Sequence, residues 1–315
     1  MKALVHGGEM SVAWVDISDP EPGQGEEILD VLVAGVCGTD LGAVRNGRPP
    51  IATGMVLGHE FVGRRRRDGA LVTANPILSC NQCRACKEGR PHLCQRREVL
   101  GVHRPGAFAQ SITVPAQNVR TIGDLPLAKA AMVEPIATAL HAWRLSPMSA
   151  ANVAILGAGP IGMSLLHVLK AFSIEDITVT DIAVERQALA SACGADHVSA
   201  KASGVYDVVF DTVGAVETRR DAVECVRTGG TAILVGLHSP DLSVAGGMVV
   251  ANEKTIRGSF AYTPDEFDEA IDLAVTLDTR WVSSVPFDRS AEMFTRMLTG
   301  NADPAAVKVH FEIAT

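Results

Sequence analysis

Four cysteines stand within one short polar segment, "ILSCNQCRACKEGRPHLCQ" at residues 77–95. Thiolates at such spacing can surround one Zn²⁺ ion tetrahedrally, and Gly89 and Pro91 let the chain turn back before the fourth. An iron–sulfur cluster is the main alternative for related spacings, and free buried thiols fit poorly in so polar a segment. Because four thiolates leave no position for water or substrate, the spacing predicts a closed, structural zinc site. Its predicted ligands are Cys80, Cys83, Cys86 and Cys94.

A second set of metal-binding side chains is spread over three segments, "GVCGTD" (35–40), "GHEFVG" (58–63) and "MVEPIATALHA" (132–142). Together they offer a thiolate, an imidazole and carboxylates, and mixed sets with one open position are typical of catalytic zinc. Each residue also has a simpler interpretation: a buried apolar cysteine, a core histidine, and an acid favoured at a helix N-terminus. The sequence therefore gives a second metal site as a hypothesis. The residues concerned are Cys37, His59, Glu60 and Glu134.

A glycine motif, "ILGAGPIG", ends an apolar strand and opens an apolar helix. Gly157 allows the tight turn, Gly159 lets the backbone approach a pyrophosphate, and Gly162 lets the helix pack closely on the strand. The N-terminus of the helix then meets negative charge. This context predicts a dinucleotide site. Its residues are Gly157, Gly159, Pro160, Ile161 and Gly162.

The choice of dinucleotide depends on Asp181, which ends the strand "DITVTDI" 19 residues after Gly162. A carboxylate there can accept hydrogen bonds from both ribose hydroxyls and repels a 2′-phosphate. We therefore predict NAD rather than NADP. Arg186 weakens this preference because an arginine nearby could receive the phosphate; its alternative is an exposed helix face.

Two patterns of secondary structure position these residues. Up to about residue 125, short β-like runs alternate with Gly and Pro, which indicates a mostly antiparallel β domain. After that point apolar strands alternate with helices, as in a parallel sheet covered by helices. The tail from about Trp281 ends in "AAVKVHFEIA", an alternating pattern, and we expect it to return to the first domain. The predicted fold class is α/β with two domains.

Composition excludes several classes of protein. The chain has 315 residues and a net charge of −8, and an acidic chain is a poor candidate for nucleic-acid binding. Its most apolar stretch is broken by glycines and a proline, so we expect no membrane partner. Seven cysteines without a recognisable secretion signal indicate a reducing, cytoplasmic location.

In these motifs, in their order along essentially the whole chain, the sequence resembles the zinc-dependent medium-chain alcohol and polyol dehydrogenases of the sorbitol dehydrogenase type. The resemblance implies a GroES-like β-barrel catalytic domain at 1–124, completed by 281–315. It implies an NAD-binding Rossmann domain, a doubly wound parallel sheet, at 125–280.

The resemblance also implies residue roles. Cys37, His59 and Glu60 match catalytic zinc ligands, and Glu134 falls where the family has a ligand or a nearby carboxylate. Asp40 matches the acceptor that orients the zinc histidine. Thr39 is similarly placed to the hydroxyl that relays the substrate proton. By the same resemblance, "DTVG" (211–214) and "VGL", with Gly236 and Leu237, line the nicotinamide end.

The chain departs from the family pattern near these residues. Gly42 stands where family members often carry a relay histidine, so we expect the proton to leave through water. "RRRR" at 64–67 is predicted to be a solvated turn. The Gly- and Pro-rich segment between "GTD" and "GHE" leaves the substrate open. His103 and Arg104 are either contacts to polar substrate groups or surface residues.

The predicted activity is reversible oxidation of a secondary alcohol of polyol, sugar or cyclitol type, with one catalytic zinc, one structural zinc and NAD per chain. The alternatives are a zinc-free quinone or enone reductase on the same scaffold and a non-enzymatic NAD-binding protein. "TIRGSFAY" resembles the edge strand through which such enzymes pair. An exposed apolar edge needs covering, and we expect a homodimer or homotetramer.

Overall fold

A computed structural model describes residues 1–147 and 149–314. Its strands, in chain order, are β1 Lys2–Gly8, β2 Ser11–Asp16, β3 Glu26–Gly35, β4 Glu60–Arg65, β5 Leu71–Ala74, β6 Ile77–Leu78, β7 Glu98–Val99, β8 Ser111–Pro115, β9 Val119–Thr121, β10 Asn152–Leu156, β11 Asp176–Thr180, β12 His197–Ser199, β13 Tyr206–Asp211, β14 Val226–Leu234, β15 Thr255–Gly258, β16 Val282–Pro286 and β17 Lys308–Glu312. The helices are α1 Gly38–Asn46, α2 Arg84–Lys87, α3 Leu127–Ala130, α4 Val133–Arg144, α5 Pro160–Ala171, α6 Val184–Ala192, α7 Val216–Glu224, α8 Gly246–Ala251, α9 Pro264–Ala274 and α10 Ser290–Leu298. Among these residues, no helix is both long and apolar enough to cross a membrane.

The described chain divides into two compact units. The first comprises Met1–Glu134 and the segment that begins at Thr263; the second is Pro135–Tyr262. Helices α3 and α9, which lie between the predicted junctions at 124/125 and 280/281, belong to the first unit. These helices contact each other, and Lys129 Nζ of α3 donates to the carbonyl oxygen of Val275 just after α9 at 2.7 Å.

The first unit contains a seven-stranded sheet in the order β16-β17-β3-β4-β5-β9, with β8 also paired to β3. Strand β17 pairs antiparallel with β3, with His310 opposite Gly35. Strand β4 pairs with the same stretch of β3, with Glu60 opposite Gly35. The end of β3 therefore lies between residues from two distant parts of the chain.

Aromatic side chains fill the core of the first unit. Phe61, Phe108 and Phe311 are fully buried in it. The rings of Phe108 and Phe311 meet edge to face with their centroids 5.1 Å apart, a favourable arrangement of aromatic quadrupoles. Side chains alternate along β17, so Lys308 and His310 point to the face opposite that of Phe311.

The second unit contains a six-stranded sheet in the order β12-β11-β10-β13-β14-β15. All neighbouring strands run parallel. Strand order reverses beside β10, which is the topological switch point at which such sheets bind ligands. The predicted α/β fold class is confirmed, including the parallel sheet and the strands "TIRG" and "KVHFE".

Candidate active site and cofactor site

Three of the predicted catalytic ligands converge at the end of β3. Cys37 is the N-cap residue of α1, directly after this strand, while His59 and Glu60 stand at the start of β4. The thiol sulfur, an imidazole nitrogen and a carboxylate oxygen all lie within 4.8 Å of one another. His59 and Glu60 are buried and Cys37 is half-buried. The antiparallel register of β3 and β4 creates this arrangement from residues about twenty positions apart.

Asp40 ties the two ligand-bearing segments together. Its carboxylate accepts hydrogen bonds from the backbone N–H of Cys37 at 3.0 Å and of Gly58 at 3.2 Å. The same carboxylate lies 3.6 Å from Nδ1 of His59. The Asp40 side chain is fully buried, so it fixes the relative positions of the thiol and the imidazole.

The electrostatics of this group favour a bound cation. Burial and the Glu60 carboxylate raise the pKa of the Cys37 thiol. Burial acts to lower the pKa of His59, yet Asp40, Cys37 and Glu134 hold that pKa well above its ordinary value. Nδ1 of His59 is buried and faces Asp40 at 3.6 Å, so Nε2 is the nitrogen available to a cation. A thiol, an imidazole and a carboxylate so placed form a donor set suited to Zn²⁺.

Lys308 contacts this group and was missed by the sequence analysis. It is fully buried, and its Nζ donates to the carbonyl oxygen of Val36 at 2.8 Å and to the Glu60 carboxylate. Gly35 leaves room for the pair, because a Cβ there would lie 2.6 Å from the Glu60 carboxylate and 2.9 Å from Cε of Lys308. The available signal was a lysine inside the apolar run "AAVKVHFEIA".

The remaining residues predicted for this site lie close by. Glu134 is at the start of α4, outside the three-residue group, and it acts on His59 through its charge. Thr39 is half-buried in the first turn of α1, two residues after Cys37. A Cβ on Gly42 would lie 2.8 Å from the backbone oxygen of Arg48. The relay histidine of the family pattern therefore has no space here.

His103 and Arg104, for which the sequence left two interpretations, both make contacts within the first unit. Nδ1 of His103 accepts a hydrogen bond from the N–H of Val99 at 3.1 Å, and Arg104 forms an ion pair with Glu26. The four arginines of 64–67 bond to nearby acids or backbone, for example Arg66 to Asp30 at 2.5 Å. Arg64 and Arg65 end strand β4 and only Arg66 and Arg67 lie in the turn, so the predicted solvated turn is half as long as expected.

The four-cysteine segment forms a compact sulfur cluster. All four sulfur atoms lie within 4.8 Å of one another. Backbone N–H groups of Gln82 and Cys83 lower the pKa of Cys80 to about 5, while burial and neighbouring thiols raise the pKa of Cys86 to about 11. None of the cysteines, all of which are described, forms a disulfide. Four converging thiols, one already poised as thiolate, fit a tetrahedral metal ion.

The glycine motif has the geometry of a dinucleotide cradle. Gly157 follows β10 with a φ of +100°, and Gly159 is the N-cap of α5 with Pro160 in its first turn. A Cβ on Gly162 would overlap the backbone oxygen of Gly157. Gly157 and Gly162 thus stand where a positive φ and a close backbone contact require glycine, and Ile161 lies in the same helical turn as Pro160.

The carboxylate of Asp181 lies beside this cradle. It accepts hydrogen bonds from the N–H of Ala158, within the glycine loop, at 2.9 Å and from the N–H of Ala183 at 2.9 Å. Arg186 lies 3.8 Å from it. Gly236 and Leu237 follow β14, and Leu237 is 75% exposed.

Comparison with known proteins identifies this combination of sites. Residues 23–124 match the model of the alcohol dehydrogenase GroES-like domain, and residues 160–276 match that of zinc-binding dehydrogenases. The chain is 34% identical over 290 residues to L-threonine 3-dehydrogenase of Streptomyces avermitilis, covering 82% of this chain and 84% of the relative. The chain belongs to the zinc-type medium-chain alcohol and polyol dehydrogenases.

Two further relatives of this dehydrogenase extend the match over nearly its whole length. It is 27% identical to L-galactonate-5-dehydrogenase of Escherichia coli, covering 96% of this chain and 97% of the relative. It superposes on galactitol-1-phosphate dehydrogenase from Escherichia coli with a TM-score of 0.90, at 28% identity and with 99% and 100% of the two chains covered. The predicted family and the predicted class, a zinc- and NAD-dependent alcohol dehydrogenase, are confirmed; neither the reductase nor the non-enzymatic alternative is needed.

Proposed function

We propose that this dehydrogenase oxidises a secondary alcohol of a polyhydroxylated or otherwise polar substrate at a zinc ion held by Cys37, His59 and Glu60. The observation that carries the proposal is the convergence of their donor atoms within 4.8 Å. Three protein ligands leave a fourth position for substrate, as in catalytic zinc sites. Glu134 is the neighbouring carboxylate that can exchange with substrate at that position.

The chain's own residues prepare the alcohol and remove its proton. Zinc, when bound, supplies Lewis acidity that lowers the pKa of an alcohol hydroxyl, and NAD supplies the hydride acceptor. Asp40 faces Nδ1 of His59, which leaves Nε2 for the metal and fixes the orientation of the ring. Thr39 accepts the hydroxyl proton at Oγ1 and passes it to water, since the position of the relay histidine is closed at Gly42.

The substrate class follows from the names of the relatives. L-galactonate-5-dehydrogenase and L-threonine 3-dehydrogenase are named for oxidation at an interior carbon of a polar molecule. An interior carbon carries a secondary hydroxyl, so the product is a ketone. A sugar, a sugar acid, a cyclitol or another polyol is therefore the substrate class that we propose.

The preference for NAD over NADP is supported by Asp181. Two backbone N–H groups hold its carboxylate in place, beside the glycine loop and at the end of the second strand of the motif. Arg186 lies next to that carboxylate, and the carboxylate offsets part of the positive charge that the arginine could offer to a phosphate. A 2′-phosphate there would meet a fixed anion.

The exposed sheet edge and the cysteines, which form no disulfides, support proposals for the oligomeric state and the cellular compartment. Strand β15 is an edge of its sheet and Thr255, Arg257 and Gly258 on it are exposed. We propose that two copies cover this edge in a homodimer, which can pair further into a tetramer. The cysteines without disulfides fit a reducing compartment such as the cytoplasm.

Metal analysis combined with an activity assay tests the catalytic site. The wild type is expected to hold two zinc ions per chain and to reduce NAD with members of a polyol and sugar-acid panel. Cys37→Ser should hold one zinc ion and lose turnover while its folded spectrum is unchanged. Cys225→Ser, which alters a half-buried thiol outside both clusters, is the matched control and should retain both ions and full turnover. Full activity of the Cys37 variant, or of wild type freed of this zinc, would exclude the proposed site.

A further inference from the structure

Two loops at the carboxyl ends of β13 and β14 are bound to each other by backbone contacts. The N–H groups of Val235 and Gly236 both donate to the carbonyl oxygen of Asp211 at 2.9 Å, and the N–H of Ser239 donates to that of Gly214 at 2.8 Å. Gly214 has a φ of +79°, and a Cβ on either glycine would overlap the backbone of the other loop. We call residues 211–214 and 235–241 the double loop.

A buried carboxylate organises the first half of the double loop. Asp211 is fully buried, and its Oδ1 accepts hydrogen bonds from the N–H groups of Val213 at 3.1 Å and Gly214 at 2.9 Å. Its Oδ2 lies 3.9 Å from Nε of Arg219. The carboxylate thus sets the conformation of one loop and attracts the guanidinium that contacts the other.

Arg219 fixes the second half of the double loop. From helix α7, its Nη1 donates to the carbonyl oxygen of Asp241 at 2.6 Å and its Nη2 donates to that of Gly236 at 3.0 Å. The side chain is only 9% exposed. A planar guanidinium can hold both carbonyls at once, and these carbonyls lie at the two ends of the loop.

Apolar packing contributes little to holding residues 235–241. A cavity of about 380 Å³ adjoins the loop on the side of β15, lined among others by Gly236, Leu237, Leu242 and Phe260. Leu237 is 75% exposed and Leu242 is 46% exposed. Because these apolar side chains are so exposed, hydrogen bonds rather than packing hold the loop; Arg219 adds one side-chain bond at each end to the backbone bonds donated by Val235, Gly236 and Ser239.

The sheet order separates residues 235–241, the second half of the double loop, from the glycine loop and Asp181, whereas Thr212 of the first half donates to the carbonyl oxygen of Gly157 at 3.0 Å. The glycine loop and Asp181 follow β10 and β11, whereas Gly236 follows β14, two strands from β10 in the order β11-β10-β13-β14. Neighbouring strands lie about 4.8 Å apart, so β11 and β14 are separated by about 14 Å. This distance allows the two ends of one dinucleotide to be held by different loops.

We infer that Arg219 is a positioning residue for the nicotinamide end of the cofactor, acting through the backbone of Gly236 and Leu237. The inference rests on the proposed cofactor site. Loss of the guanidinium frees the carbonyl oxygens of Gly236 and Asp241 and so loosens the loop beside the nicotinamide, while the contacts of the glycine loop and Asp181 stay intact. The adenosine half of the cofactor therefore serves as an internal reference.

Calorimetric titration with NADH and with ADP-ribose, which lacks the nicotinamide, tests this inference. For Arg219→Met we expect at least tenfold weaker binding of NADH and less than a twofold change for ADP-ribose. Arg219→Lys keeps the charge beside Asp211 but offers a single nitrogen in place of the two that reach Asp241 and Gly236, and should fall between wild type and Arg219→Met. Arg220→Met is the matched control, because Arg220 is the next residue of α7 and pairs with acids at the surface; it should bind both ligands as wild type does.

The outcomes separate the possible failures. Wild type that binds neither ligand would exclude the proposed cofactor site itself. Equal losses for NADH and ADP-ribose in the Arg219 variants would make Arg219 a general structural residue, and unchanged NADH binding would give it no role in positioning; either result overturns the inference. If Arg219→Met does not fold, the same ratio of affinities is measured for Arg219→Lys, where only a selective loss of NADH binding supports the inference.

Discussion

Replacement of Lys308 by methionine should expose how much the catalytic site depends on a charge supplied from β17. The methionine keeps most of the side-chain volume but removes the ammonium group that bonds to Glu60 and to the Val36 carbonyl. Both charged side chains are at most 1% exposed. Removing one partner of a buried ion pair leaves an uncompensated charge, which costs about 3–5 kcal/mol. We expect a loss of that size in the free energy of unfolding of the metal-free protein.

Urea unfolding with chelator present, for Lys308→Met, Glu60→Gln and the double variant, isolates the interaction. Because Glu60→Gln removes the orphaned charge, the double variant should be more stable than Lys308→Met alone, with a coupling energy of about 2 kcal/mol or more between the two sites. Zinc should stabilise Lys308→Met more than wild type, since the ion supplies the positive charge that Glu60 has lost.

An exposed ion pair provides the control. Lys2 lies 2.6 Å from Asp16, with side chains 40% and 74% exposed, so Lys2→Met should cost less than about 1 kcal/mol. The reasoning fails if Lys308→Met is no more costly than Lys2→Met, or if Glu60→Gln does not relieve it. Either result would mean that water or a rearrangement of neighbouring side chains stabilises the Glu60 carboxylate when Lys308 is absent. Lys308 would then not determine the position of Glu60.

Three further changes test other parts of the molecule. Cys83→Ser removes one of four converging thiols and should lower the zinc content from two ions to one and the thermal midpoint with it, while NADH still binds; a stable variant with both ions would contradict a structural site. Gly162→Ala places a methyl group against the glycine loop and should weaken NADH binding at least tenfold, whereas Gly246→Ala, where the added methyl group meets no atom within 4 Å, should bind normally. Burial lowers the pKa of His310 from 6.5 to about 3, so its neutral form stabilises the fold above pH 6.5 and this contribution is lost as pH falls towards 3. When the pH is lowered from 7.5 to 5, the unfolding free energy of His310→Asn should therefore fall by about 2 kcal/mol less than that of wild type. Equal falls in the two proteins would show that this histidine is not the group that titrates.

Sequence alone predicted the features that depend on near neighbours in the chain. The cysteine segment closes within 15 residues from Cys80 to Cys94, and the glycine motif and Asp181 belong to one strand–helix–strand unit. In both, spacing and residue type determine the geometry, because the chain between the functional residues is too short to place them otherwise. The parallel sheet followed from the alternation of apolar strands and helices.

Contacts that depend on the register of paired strands could not be predicted from the spacing of residues along the chain. Ligand chemistry grouped Cys37, His59 and Glu60 only as a hypothesis, which the family resemblance strengthened, because their convergence requires Glu60 to face Gly35 across β3 and β4. Lys308 requires a second register, that of β17 on β3. The sequence around Arg219 is that of an ordinary exposed helix. Its proposed role depends on contacts with a loop that begins 16 residues later, which spacing does not predict.

The pairing of β17 with β3 has a consequence for how the protein is made. Lys308 and Glu60 are separated by 248 residues, so the first unit must hold an unfinished sheet while the ribosome adds the whole of Pro135–Tyr262. That intervening unit is continuous in sequence and can fold as soon as it emerges. We expect nascent chains arrested before residue 308 to carry a protease-resistant second unit and a protease-sensitive first unit. In such chains Glu60 lacks its partner Lys308, because β17 has not yet been added to the sheet.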